Sequence, residues 1–250
     1  MRRLGLPVGL VALAVGAWEA IVRVDHVPDY LFPTPSAVAT ALWSDAGLLG
    51  DATLVTTREI VLGYLLAVAV ALGFAVLLHF STPLRQALLP LLVGSQTVPT
   101  VVLAPILAIL LGFGMTPKLI IVALVCFFPI VVNAVDGFRA VDPELVRMML
   151  TLDADRASIF RRVEFPAALP AIFSGARVAA TYAAVGAVFG EWAGSTSGLG
   201  FVMLQSQPSL DTARIFACVV ILSALALALY GLVSLAERLS VPWNQEVSGA

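Results

Sequence analysis

Charge is what this chain has least of. Asp, Glu, Lys and Arg make up 12% of its 250 residues, against about a quarter in an ordinary soluble domain. Lysine is almost missing: Lys118 is the only one, flanked by Pro117 and Leu119. A phosphate-binding loop needs Gly-Lys-Ser/Thr, so nucleotide hydrolysis by that route is excluded. Cysteine is limited to Cys126 and Cys218, both inside apolar runs where the residue behaves as a small hydrophobe; the two build neither a disulfide framework nor a metal site. His26 and His79 have no Cys or His nearby, and no metal is expected at either. Paired carboxylates, a Ser/His/Asp set and HExxH are all missing from the sequence pattern, which leaves intramembrane catalysis without machinery. A net charge of −2 supplies no basic field for nucleic acid.

What is present is apolar length. Hydrophobic residues are 60% of the chain and mean hydropathy is +1.00, so a lipid membrane is the expected surroundings. About 20 apolar residues cross a bilayer core. Met1-Arg2-Arg3 and the apolar run behind it have the form of a signal peptide, and equally that of a first transmembrane helix continuing to Val22. The helix is preferred because it gives a consistent parity. Residues 25–51 are then an exterior segment, with a short interfacial helix over 35–43. Residues 60–78 form a second span. The uncharged passage 86–117 is too long for one straight crossing at about 1.5 Å per residue, so it is read as one span kinked near Val98-Pro99 with an exterior turn over 112–117. Further spans follow at 119–135, 170–189 and 215–236, with a glycine-rich exterior loop over 190–211. The expected fold is all-α, a polytopic membrane protein of about six transmembrane helices in a single domain, 1–250. Within it, 1–57 hold the first span and exterior segment, 58–240 the core, and 139–170 a polar loop between the fourth and fifth spans. Six spans starting inside put nine of the basic residues in the cytoplasm and four outside or at the outer rim, with Arg177 inside the fifth span. That bias makes both termini and the polar loop cytoplasmic.

The polar loop is the one long charged passage, with ten of the thirty charged residues. Asp142, Pro143 and Glu144 predict a helix start, with Asp as cap and Pro at the first position, running to about Leu152. Asp153-Ala154 breaks it. Asp155 caps a second short helix through Phe165, stopped by Pro166. There Ile159 and Val163 share a face with Phe160 beside them, and Arg156, Arg161 and Arg162 ring the flanks. An apolar knob with an arginine rim suits a groove on a partner protein. A solvated hairpin with ordinary positive-inside arginines is the reading that composition leaves equally open.

The loop DPELVRMMLTLDADRASIFRRVEFPAALP resembles the cytoplasmic "EAA" loop of the inner-membrane permeases of binding-protein-dependent ABC importers. Asp142-Pro143, Leu145, Ala154, Ile159-Phe160, Pro166 and Ala168-Leu169-Pro170 match its pattern. The likeness extends to Trp18-Glu19, Arg58, Gly63, Pro99, Gly112-Phe113-Gly114, Lys118, Phe127-Phe128-Pro129, Asn133, Asp136-Gly137, Gly190-Glu191, Gly198-Leu199-Gly200 and Pro242-Trp243. It is similar to the nitrate/sulfonate/taurine branch, which includes permeases for thiamine's pyrimidine precursor and for riboflavin. The chain departs from the family at Arg147, Met149 and Asp153, where the pattern has Glu, Ala and Gly; the departures bear on the details of ATPase docking. The resemblance implies a permease subunit in a bacterial cytoplasmic membrane that is not itself an enzyme. It implies a second permease copy as a homodimer, two ATP-binding ATPase subunits below and an extracytoplasmic substrate-binding protein above. No cofactor is expected on this chain, since ATP-Mg would sit on the partner ATPase. By the same resemblance, ATPase coupling falls to Asp155, Arg156, Ser158, Ile159, Phe160, Arg161, Arg162 and Val163.

Polar groups at membrane depth point to a pathway: Gln96, Thr97, Thr100 and Tyr182, with Glu191 as a gate or a contact for the binding protein. Local hydrogen bonding to helix backbone near Pro99 is the alternative for these four, and an ordinary interfacial acid the alternative for Glu191. Arg177 is expected to pair with Asp136 or Glu164, ahead of touching substrate. Gly186 and Gly190 form a small-xxx-small pair suited to close helix contact, including across a dimer axis. The rival functions are a membrane scaffold or enzyme whose loop binds another protein, and a secondary transporter working alone, which would be expected to show inverted repeats and charged midplane residues.

Overall fold

Hydrocarbon offers a backbone amide no partner but its own chain, so each uncharged run closes its hydrogen bonds as helix. The computed structural model describes residues 2–243, with side-chain surroundings from Gly9 onward. Its helices are α1 (Arg2–Val24), α2 (Pro35–Ser44), α3 (Ala46–Phe80), α4 (Thr82–Ser95), α5 (Thr100–Leu111), α6 (Met115–Arg139), α7 (Pro143–Thr151), α8 (Arg156–Ile159), α9 (Phe165–Trp192), α10 (Leu199–Ser206) and α11 (Thr212–Ser240), with a π-helical turn over Phe160–Glu164 and no strand among the described residues. Four of these are long and apolar enough to cross a membrane: α3, α6, the rod Arg156–Trp192 and α11. The pair α4 and α5 makes a fifth if it is one broken span. α1 covers the expected first span with 23 residues, about 34 Å of helix.

Two boundaries differ from the sequence expectation. The second span is not confined to 60–78: α3 starts at Ala46 and runs for 35 residues. The kink expected at Val98-Pro99 is a full break, with α4 and α5 meeting at 97°. Pro99 has no N–H to continue a helix, and the chain before it turns through three tight bonds, Gln96 N to Val93 O, Thr97 N to Gly94 O and Val98 N to Ser95 O, at 3.1–3.2 Å.

Helix association in lipid comes from close packing rather than from hydrophobic transfer, so small residues line the seams. Ala67, Ala71 and Ala75 recur every four residues along α3 and are fully buried. On α9 a Cβ at Gly175 would meet the Pro129 carbonyl oxygen of α6 at 2.5 Å and Asn133 Cβ at 2.7 Å. Gly186 and Gly190 do mark close contact, but within the chain: their Cβ positions fall 2.9 Å from Val122 Cα and 3.1 Å from Lys118 Cα of α6, not on a dimer axis. Arg177 is also corrected. It pairs with Glu237 of α11, while Asp136 faces Arg139 and Glu164 faces Arg156 and His79.

The polar loop follows its local chemistry. Asp142 caps α7 by accepting from the Glu144 amide at 2.8 Å, with Pro143 at the first turn. The break falls at Asp153, whose φ of 58° is left-handed. Aspartate tolerates that conformation better than most residues and glycine better still. Asp153→Gly is therefore expected to stabilise the folded chain by up to about 1 kcal/mol, read as a rise in melting temperature. Pro166, expected to stop the second helix, does not. The helix widens instead through the π turn, where the Phe165 N–H reaches back to Phe160 O, and so accommodates a residue with no N–H to give. The loop's second helix and the fifth span are thereby one rod of 37 residues, Arg156–Trp192.

Candidate functional site

Three places along this frame collect the polar side chains. The first is the end of the bundle formed by α7, α8 and the π turn. Asp155 takes an extended cap conformation, and Ser158, through its hydroxyl first, holds the Asp155 carboxyl below the usual carboxylate range. Arg156, Ala157, Arg161 and Arg162 are exposed, and Ser158 and Val163 are half-buried. Ile159 is fully buried. Phe160 is half-buried, its ring 5.0 Å from Phe80, 5.6 Å from Phe138 and 5.8 Å from Phe165. The expected apolar knob is thus corrected: Ile159 and Phe160 turn into the chain's own core. The exposed apolar residues of the loop are Leu145, Met148, Leu150 and Leu152, on α7 and its cap.

The second place is a cleft of about 620 Å³ where the α4–α5 break faces α6 and α9. Gln96, Thr100 and Tyr182 line it, and Asn133 joins them. Thr97 does not; its hydroxyl donates to Gly94 O at 2.8 Å. Asn133 Nδ2 donates to Pro129 O at 2.7 Å, which leaves its oxygen to the cleft. The side chains of Gln96, Thr100 and Tyr182 have no hydrogen-bond partner among the described residues. Phe128, Phe189, Pro99, Pro129 and five valines complete the wall, and no acidic or basic residue is among them.

The third place gathers Glu191, which is fully buried rather than interfacial. Its carboxylate accepts from Thr56 Oγ at 2.6 Å and from the Gly200 and Phe201 amides at 2.5 and 3.2 Å, at the first turn of α10. Amides at a helix start face outward with partial positive charge, so they suit a carboxylate. Gly198, at φ 108°, and Gly200 leave the space it occupies: a Cβ at either would run into the carboxylate. Beside it Lys118 Nζ donates to Glu59 at 2.7 Å and to Ser195 at 2.6 Å. Lys118, Glu59, Thr56 and Ser195 were not picked out by sequence reading as a group; the resemblance marks Lys118 and Gly198-Leu199-Gly200 without saying what they hold. Glu191 stands apart from the cleft, which it does not line.

Comparison with known proteins agrees with this frame. A family model described as "Binding-protein-dependent transport system inner membrane component" matches residues 60–241. The chain is 37% identical to a probable ABC transporter permease protein of Haemophilus influenzae, over 91% of this chain and 93% of that protein. It is 38% identical to the riboflavin transport system permease protein of Chloroflexus aurantiacus, over 96% and 90%. It is 30% identical to the formylaminopyrimidine transport permease protein of Halalkalibacterium halodurans, over 92% of each. The chain belongs to the binding-protein-dependent inner-membrane component family, the permease subunits of ABC importers.

Proposed function

We propose that this permease passes an uncharged, planar heterocycle through the cleft between α4–α5, α6 and α9, as one of two identical copies. The family implies an ATPase and a substrate-binding protein as partners. In the proposed assembly the termini and the 139–170 loop face the ATPases in the cytoplasm, ATP-Mg stays on those subunits, and residues 155–163 are pushed as a unit when they close. Leu145, Met148 and Leu152 give the loop an exposed apolar surface for that docking, with Arg161 and Arg162 at its side.

The uncharged lining of the cleft carries the substrate reading. A sulfonate or nitrate would lose its hydration there and gain no counter-charge, a penalty of several kcal/mol. A neutral ring system would instead meet aromatic faces at Phe128 and Phe189, and its edge atoms would meet the open hydrogen-bonding groups of Gln96, Thr100, Asn133 and Tyr182. The similarity to permeases named for riboflavin and formylaminopyrimidine supports the same class. The test is ATP-dependent uptake into proteoliposomes holding the chain with its ATPase and binding protein. Riboflavin or a hydroxymethylpyrimidine is expected to enter at least about tenfold faster than taurine or nitrate, a difference of about 1.4 kcal/mol. Faster entry of nitrate or of zwitterionic taurine would overturn the reading.

A further inference from the structure

We infer that Glu164 clamps the α8 segment to the end of α3, so that one displacement of the loop drives two spans. The inference rests on the proposal that residues 155–163 receive the ATPase stroke. α9 receives that stroke through the backbone, because α8 and the π turn run into it without a break. α3 does not run directly into the loop; it meets α8 and the π turn at its end, where His79 and Phe80 are its last two residues.

Glu164 is placed to make that link. Its side chain is 6% exposed, and each carboxylate oxygen has its own partner: Oε2 lies 2.9 Å from His79 Nε2, and Oε1 lies 3.2 Å from an Arg156 nitrogen. His79 is equally buried, at 8%. The Arg156 guanidinium also sits over the Phe80 ring, 5.7 Å from its centre, so α8 and the π turn each touch the end of α3. Around the carboxylate the rings of His79, Phe80, Phe138 and Phe160 interlock at 4.9–5.6 Å. Pulling α8 and the π turn away from α3 would take the Glu164 carboxylate off His79 and Arg156 off the Phe80 ring, and a buried ion resists the loss of a partner strongly. The exposed half of Arg156 makes its own share smaller, so the His79 contact is the firmer strut. The π turn that ends at Glu164 fits the same purpose. By taking one extra residue per turn it sets the rotation at which Glu164 leaves the rod, and such turns gather at working positions. Glu164 and His79 are positioning residues: they touch neither cargo nor nucleotide.

The experiment uses the whole complex, purified with its ATPase and binding protein and reconstituted with riboflavin as probe. His79→Leu is expected to keep ATP hydrolysis within about twofold while uptake per ATP falls at least about fivefold, and His79→Gln, which restores a nitrogen near the Nε2 position, is expected to recover the ratio. A packing defect alone would lower hydrolysis and uptake together, and that outcome, or an unchanged ratio, overturns the clamp. A second measurement needs neither variant. Leu77 and Ala157 are exposed, and the native Cys126 and Cys218 are buried, so spin labels can be placed on Leu77→Cys and Ala157→Cys alone. Their separation is expected to stay fixed through the ATP cycle, while both move relative to a label at Leu235→Cys on α11. A 77–157 distance that changes with ATP overturns the clamp and leaves the coupling proposal standing; a chain that co-purifies with no ATPase overturns both.

Discussion

Glu191→Ala is expected to remove about 3–5 kcal/mol from the folded permease, the range for taking one member out of a buried charged network. The carboxylate holds three groups at once, the Thr56 hydroxyl and the amides of Gly200 and Phe201. Alanine leaves the Gly200 and Phe201 amides without their acceptor, while the Thr56 hydroxyl keeps Ala52 O at 3.1 Å. The loss falls on the junction of α3, α9 and α10, which the Leu199 N–H to Thr56 Oγ bond at 2.8 Å and the Trp192 Nε1 to Gly200 O bond at 3.1 Å would still hold in part. Thermal unfolding of the detergent-purified chain measures it, with Glu191→Gln expected to lose clearly less because the amide oxygen can still accept. Equal melting temperatures for wild type and Glu191→Ala would show that the cradle bears no weight.

A leucine at Gly175 should be as damaging for a different reason. Its first side-chain atom would sit 2.5 Å from the carbonyl oxygen of Pro129 and 2.7 Å from Asn133 Cβ. A backbone oxygen inside a packed seam cannot swing aside as a flexible side chain would, so α6 and α9 must separate. Overpacking of this kind costs about 3 kcal/mol or more where the backbone has to shift. Gly73→Leu is the control, since a Cβ there meets nothing within 4 Å. Gly73→Leu is expected to accumulate in membranes like wild type and Gly175→Leu to be recovered at a small fraction of that level. Similar recovery of the two would mean that the seam is looser than its distances imply.

Much of this frame is legible from the residues in order. Uncharged runs announce the spans, Asp142-Pro143 announces α7, and the departure at Asp153 falls where the left-handed turn is found. Hydropathy misjudges α3, because Thr56 and Glu59 look like an exterior rim until Glu191 and Lys118 are seen to cover them. Partners so distant in sequence leave no local trace, and the same holds for Arg177 with Glu237, 60 residues apart. Ile159 shows a further limit. Spacing says that it shares a face with Val163, but which way that face points depends on where α3 and α6 end. Pro166 reads as a stop because its missing N–H forbids an α turn, yet it says nothing against a wider one. For the cleft, sequence supplies Gln96, Thr100 and Tyr182 as polar groups at depth, and only the break before Pro99 turns them toward one space.

The rod from Arg156 to Trp192 is 37 residues long, about 55 Å at helical rise, well beyond the roughly 30 Å of bilayer oil. It is therefore longer than one straight crossing needs, with Arg156 at one tip and the Glu191 cradle just short of the other. A crankshaft of that length has no joint midway in which a rotation could be lost. Under the proposed coupling, whatever turns the Arg156 tip also turns α10 through the Glu191 cradle, so a nucleotide signal and a cargo signal would travel along the same shaft.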